Sequence, residues 1–256
     1  MSPQGRAPYP RHPWLTARPI AHRGLHDAAR GIIENTATAA AAAIAGGCGI
    51  EADLQVSADG EAFVHHDDAL GRLTDGEGLL RDLPAAALKR SAYKATAERM
   101  LTLGDLVDLV AARTALLLEL KSRFDGDLRL ATRTAAVLAR TGGPIAVMSF
   151  DPALVMTLQQ LAPHLVCGIV AERHYRPPYW HMLGRLRKLE LAFLLHGRKS
   201  RPDFIAYRVD DLAGFAPLAA RHMFGLPLLA WTVRSKEQRA MAARYADQVI
   251  FEGFRA

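Results

Sequence analysis

Eight short, nearly continuous apolar runs recur along this chain, separated by longer Ala- and Leu-rich stretches. That order limits the available folds more than any other feature. The runs are Pro19–His22, Gly49–Val56, Ala115–Leu120, Ile145–Phe150, Leu165–Val170, Phe204–Val209, Leu228–Val233 and Gln248–Phe251. Uninterrupted hydrophobicity over four to eight residues is the pattern of parallel strands covered on both faces. Helices are predicted between them, for example over Ala37–Ala45, Leu103–Ala112, Leu128–Arg140 and Pro152–Leu161, with Gly46-Gly47 closing the first. Phe63–His65 reads as the return of a small hairpin turned by Asp59-Gly60. Strand–helix alternation over 256 residues predicts an α/β chain folded as a (β/α)8 barrel. The barrel is one domain over 19–256 with a small hairpin insertion after the second strand, preceded by an irregular Pro-rich arm over 1–18. An open doubly wound sheet is the alternative, and the lack of a GxGxxG loop after any strand counts against it.

Half of the residues are hydrophobic and 23% are charged, enough to bury a sizeable core and to exclude a disordered chain. The two cysteines, Cys48 and Cys167, sit in apolar runs, without a CxxC pair or Cys/His ligand spacing. A disulfide framework and a zinc finger are thereby excluded, and a reducing compartment fits. Residues 1–18 carry prolines and basic residues without the apolar segment of a secretory signal, and no apolar run is long enough to span a bilayer. The expectation is a soluble cytoplasmic protein.

The stretch 171–201 stands apart. It holds eight Lys/Arg against two Glu, so its +6 equals the net charge of the whole chain, and it adds Tyr175, Tyr179, Trp180 and Phe193. Following the fifth strand, it belongs on the loop face of a barrel. Two readings stay open: peripheral contact with an anionic membrane surface, or a solvated helix packed on the barrel by its Leu face. No nucleic-acid-binding motif accompanies the charge.

Ionisable residues are costly in buried strands unless paired or metal-bound. Three runs nevertheless end in them: Ala21-His22-Arg23-Gly24, Ile50-Glu51-Ala52-Asp53 and Leu118-Glu119-Leu120-Lys121. Side chains alternate along a strand, so Glu51 shares a face with Asp53, and Glu119 with Lys121. If both faces point into a barrel, three carboxylates converge. Either a hard cation, Mg2+ or Ca2+, lies between them, or they pair with Arg23 and Lys121. His22 and the pair His65/His66 supply groups that exchange protons near neutral pH. Together with two cationic side chains, the set suits metal-assisted phosphoryl chemistry.

These residues resemble a known family, the glycerophosphodiester phosphodiesterases. The likeness rests on AHRG at 21–24, ENT at 34–36, EADLQVSADG at 51–60, HDDALGRLTDGEG at 66–78, LELK at 118–121, SF at 149–150 and AWTV at 230–233, in order and at family spacing from residue 19 to about 252. The resemblance implies a TIM barrel, a divalent cation, Mg2+ or Ca2+, and hydrolysis of a small phosphodiester to an alcohol and glycerol 3-phosphate, within lipid and glycerol metabolism. It implies His22 and His66 as the acid–base pair, Glu51, Asp53 and Glu119 as metal ligands, Arg23 and Lys121 as phosphate contacts, and Glu34 and Asn35 as orienting residues behind them. Trp231 would line the alcohol side, and His65 would occupy a position usually apolar. In many members a neighbouring glycerol hydroxyl attacks phosphorus, giving a cyclic phosphate that water opens.

The chain departs from the family at Ile33, where proline usually stands, at Arg234 after Trp-Thr-Val, and at its IFEGFRA ending. The last two changes bear on the alcohol side. Competing expectations are a lysophospholipase D-type enzyme acting on lysolipids at a membrane, and a non-catalytic anion-binding barrel.

Overall fold

The computed structural model describes residues 12–176 and 178–255. Nine strands form one sheet: β1 (Ile20–Ala21), β2 (Gly49–Val56), β3 (Ala62–Val64), β4 (Leu116–Leu120), β5 (Ile145–Ser149), β6 (Val166–Ala171), β7 (Phe204–Arg208), β8 (Leu228–Val233) and β9 (Gln248–Phe251). All eight strands other than β3 run parallel to their neighbours, and β1 pairs with both β2 and β9. The ring is therefore closed: the chain is a (β/α)8 barrel. β3 lies outside it, antiparallel to β2. Gly60, in the turn between them, has φ +86°, as Asp59-Gly60 foretold.

The apolar runs split by parity into two cores. Odd and even positions face opposite sides of a strand. Ile50, Ala52, Leu116, Leu118, Val147, Cys167, Ile169 and Leu228 pack outward beneath the helices. Ile20, Leu117, Ala146, Met148, Val166, Val170, Phe204, Ala206, Leu229 and Ile250 form a separate cluster that fills the barrel. Complementary sizes make that filling close. A Cβ on Gly168 would lie 2.3 Å from the fully buried Phe204 ring, so a large side chain on β7 occupies the space left by a missing one on β6.

The helices Ala37–Ala45, Leu103–Val110, Arg129–Leu138 and Pro152–Leu161 lie where the sequence predicts them. Thr36, Thr102 and Asp151 accept hydrogen bonds from the first-turn amides, and Asp105 completes a capping box with Thr102. Residues 66–101, beyond the hairpin, build a satellite core in which Leu70, Leu80, Leu88, Tyr93 and Met100 pack with Phe63 of β3. This brings the loop of His66 over the barrel mouth.

One expectation needs correction. Residues 1–11 lie outside the described residues, but the rest of the arm expected to be irregular contains a helical turn, Trp14–Ala17. Leu15 is 1% exposed and joins the cluster inside the barrel. Gln248 Nε2 donates to the Thr16 carbonyl at 2.8 Å and ties the turn to β9. Burial of one leucine outweighs the local Pro-rich composition. Beyond Ala171, the described residues of the stretch 171–201 form no strand or helix up to Gly184, after which the helices Arg185–Ala192 and Gly197–Ser200 follow.

The Gly168–Phe204 contact gives a direct test. Gly168→Ala is expected to lower stability by about 1–3 kcal/mol through overpacking. Adding Phe204→Leu should recover part of that loss. Denaturant unfolding of the two variants measures both effects.

Candidate active site

The parity that fills the barrel with apolar side chains also sets its mouth. One step beyond Ile20, Leu117, Leu229 and Ile250 on the same face stand His22, Glu119, Trp231 and Glu252, and β2 contributes Glu51 and Asp53. The parallel register puts Asp53 beside Glu119. Glu51, Asp53 and Glu119 are 1%, 0% and 8% exposed. Each offers a carboxylate oxygen within 4.8 Å of the other two. The structure thus brings the three acids together.

The nearby cations are engaged with them. Lys121 Nζ lies 2.7 Å from Asp53 Oδ1 and 2.6 Å from Glu119 Oε1. Arg23 Nε lies 3.1 Å from Asp53 Oδ2, and its Nη1 donates to Glu34 Oε1 at 2.7 Å. Burial works against the charge of Asp53, but Lys121 and Arg23 outweigh it and hold its carboxyl well below the usual range. Glu51 is different. Burial, then the neighbouring Asp53 and Glu119, push its carboxyl well above its ordinary value, and its buried Oε1 has no hydrogen-bond partner. Three hard oxygen donors, one of them unsatisfied, fit a divalent cation of the Mg2+ or Ca2+ class. Arg23 and Lys121 meanwhile neutralise part of the acidic charge.

The loop after β1 is shaped for this cluster. Arg23 has φ +56°, a left-handed conformation that points its backbone N–H at Glu51 Oε2, 3.0 Å away. Gly24 follows at φ +78°, and a Cβ there would come within 2.8 Å of the Ala39 backbone. Only glycine lets the loop approach the helix Ala37–Ala45 so closely. Asn35, at φ +58°, donates from Nδ2 to Asp53 Oδ2 at 2.9 Å and accepts from the Asp53 N–H at 3.3 Å. Glu34 joins Arg23 to Arg72, whose Nε donates to Asp67 Oδ2 at 2.5 Å.

Both histidines are held the same way. His66 Nδ1 lies 2.8 Å from Asp67 Oδ1, while Gln55 Nε2 donates to the His66 carbonyl. His22 Nδ1 lies 2.5 Å from Glu252 Oε2. A carboxylate at Nδ1 calls for a proton there and leaves Nε2 as the free acceptor. His22 Nε2 is 3.9 Å from Glu51 Oε2, and both imidazoles act electrostatically on Asp53. Burial lowers the pKa of His22, and the bond to Glu252 partly offsets that. His65, by contrast, is 1% exposed with neither ring nitrogen partnered, and burial lowers its pKa. Its backbone N–H donates to the Asp53 carbonyl, so it supports the strand end from behind.

The other side of the mouth is aromatic. Trp231 donates from Nε1 to the Ala206 carbonyl, and its ring meets Phe150 at 5.5 Å. Phe150 in turn stacks on Trp180 at 4.9 Å. Trp180 donates to Glu172, which pairs with Arg208 at 3.0 Å. Arg234 reaches inward to Glu252, with Nε 2.5 Å from Oε1. Glu252, Asp67, Glu172 and Arg208 were not singled out by sequence reasoning. For Glu252 a signal existed: it is two residues beyond the inward Ile250 on β9.

Comparison with known proteins came down on one family. The sequence profile of the glycerophosphoryl diester phosphodiesterase family matches residues 22–252. A glycerophosphodiester phosphodiesterase of Caldanaerobacter subterraneus is 29% identical over 232 residues, covering 85% of this chain and 86% of that protein. Among solved structures, an Oleispira antarctica phosphodiesterase in complex with the product sn-glycerol-3-phosphate superposes with a TM-score of 0.73 at 22% identity, covering 91% of each chain. The glycerophosphodiester phosphodiesterase of Thermotoga maritima does so with a TM-score of 0.68 at 23% identity, covering 91% of this chain and 92% of its own. The structural likenesses speak to the fold.

Two substitutions probe the geometry. The folded state raises the pKa of Glu51 above its unfolded value, near 4.5. Its protonation therefore stabilises the fold at low pH, and that contribution is lost as pH rises through the folded value. Glu51→Gln should unfold later than the wild type in chelator, by about 1–3 kcal/mol near neutral pH, with the gap closing below about pH 4.5. Thermal melts across pH read this out. Glu252→Gln removes the carboxylate from His22 Nδ1. It should lower kcat about 10- to 100-fold with little change in KM, measured by steady-state phosphodiesterase kinetics.

Proposed function

The chain belongs to the glycerophosphoryl diester phosphodiesterase family and is a phosphodiesterase, and on that premise we propose that it hydrolyses glycerophosphodiesters to an alcohol and glycerol 3-phosphate at the barrel mouth. In this reading Glu51, Asp53 and Glu119 hold a divalent cation, Mg2+ or Ca2+, and His22 and His66 carry the protons. The observation that supports it most is the unsatisfied Glu51 oxygen within a three-carboxylate cluster beside two imidazoles anchored through Nδ1.

Phosphoryl transfer asks for charge neutralisation at the phosphate and proton management at two bridging oxygens. When bound, the cation would supply Lewis-acid charge against the phosphate oxygens. Arg23 and Lys121 add fixed positive charge on the same side. One imidazole Nε2 takes the proton from the glycerol hydroxyl next to the phosphoester. The oxygen so freed attacks phosphorus and a cyclic phosphate forms. The other imidazole protonates the departing alcohol oxygen as its bond to phosphorus breaks. The two then exchange roles: one takes a proton from water, which adds to phosphorus, and the other protonates the ring oxygen that leaves. The carboxylates of Glu252 and Asp67 stabilise each imidazolium as it forms. Glu34 and Asn35 keep Arg23 and Asp53 in place, and Trp231 offers the departing alcohol an apolar wall. The phosphodiesterase from Oleispira antarctica, of the same fold, holds as product the compound that this reading assigns.

His22→Ala and His66→Ala should each lower kcat by about 10²- to 10⁴-fold with unchanged circular dichroism. Chelation should abolish turnover of glycerophosphocholine, and Mg2+ or Ca2+ should restore it. A phosphodiester without a hydroxyl next to the ester should turn over poorly. Full activity in both histidine variants would overturn the assignment.

A further inference from the structure

The stretch 171–201 divides its apolar residues between two destinations. Tyr175, Leu183, Leu191 and Ala192 are buried in a small cluster with Trp180, Phe124 and Phe150. That contact satisfies the need to pack against the barrel. Tyr179, Met182, Leu186, Leu189, Phe193 and Leu195 point the other way and are 77%, 43%, 83%, 51%, 48% and 69% exposed. They are half of the large hydrophobic side chains exposed among the described residues, gathered into 17 positions. Leu186, Leu189 and Phe193 follow one face of the helix Arg185–Ala192 and its end, at spacings of three and four. A patch of this kind on a protein surface marks an interaction site.

Its charge selects the partner. Both acids of the stretch are neutralised locally: Glu190 by Arg187 at 2.7 Å, and Glu172 by Arg208 at 3.0 Å. Arg173, Arg176, Arg185, Lys188, Arg198, Lys199 and Arg201 have no carboxylate within ion-pair distance among the described residues. The patch therefore interleaves exposed apolar side chains with cations that have no carboxylate partner. A second copy of the chain would bring two such positive surfaces together and be repelled. A nucleic acid would gain nothing from exposed Leu186, Leu189 and Leu195. An anionic bilayer satisfies both halves, with acyl boundary for the leucines and lipid phosphates for the cations.

The patch is rooted on the barrel mouth. Arg187 lies over the Phe124 ring and 3.6 Å from Asp151, residues that follow β4 and β5. Trp180 meets Phe150, which meets Trp231. We propose that residues 179–199 form a peripheral docking surface for anionic phospholipid bilayers, which holds the barrel mouth at the lipid–water boundary. No helix among the described residues is long and apolar enough to cross a membrane, so the contact is one of lying on the surface. The proposal stands apart from the catalytic reading, because binding is measured without turnover.

Flotation of the full chain with phosphatidylcholine vesicles, with and without phosphatidylglycerol, tests it. The protein should partition onto the anionic vesicles, and added salt should weaken binding. Leu186→Glu combined with Leu189→Glu should lower binding at least about 10-fold, and Arg185→Glu combined with Lys188→Glu by a similar factor. Both variants should keep the circular dichroism and thermal unfolding midpoint of the wild type, which shows that they are folded. Absence of the wild type from anionic vesicles overturns the proposal, as does undiminished binding of both variants. So would a dimer in light scattering that Leu186→Glu dissociates, or binding to an oligonucleotide but not to vesicles.

Discussion

Like charges on adjacent strands cannot be buried side by side without something positive between them. In this barrel the parallel register of β2 and β4 leaves no choice about proximity, since Asp53 and Glu119 are direct neighbours and Glu51 faces the same interior. Everything around the mouth answers that repulsion. Lys121 sits between two of the acids, Arg23 adopts a left-handed backbone to lend an amide to the third, and Asn35 does the same to grip Asp53. Left-handed non-glycine residues cost about 1–3 kcal/mol each and persist only where their surroundings hold them. Here the surroundings are the carboxylates themselves.

The same arrangement holds the two imidazoles in place. Each imidazole is fastened by one nitrogen to a carboxylate, Asp67 for His66 and Glu252 for His22, and each of those carboxylates is itself gripped by an arginine, Arg72 and Arg234. Each carboxylate thereby orients its ring and favours a proton on Nδ1. The two pairings come from different kinds of backbone flanking β1, a loop after the hairpin and the end of the last strand.

The fold was legible because burial on both faces leaves a plain mark: seven of the eight barrel strands lie within their apolar runs, β6 runs one residue past its own, and the helix Ala37–Ala45 ends where the sequence places it. The acids and His22 were legible for the opposite reason, since charged residues interrupt those runs at one end. What lacked a mark depended on distant partners. Glu252 looks like an ordinary terminal charge until β9 docks beside β1. Leu15 looks like part of a Pro-rich arm until the barrel interior takes it in. The stretch 171–201 showed its charge but not which leucines turn inward, because its apolar positions serve two surfaces and blur the helical period.

The barrel closes along the seam between β1 and β9, and His22 and Glu252 meet across it although 230 residues separate them. Until β9 docks beside β1, His22 lacks the carboxylate that fastens its Nδ1. A chain without β9 can form neither the closed ring nor the tie at His22 Nδ1, so one short strand supplies both at once.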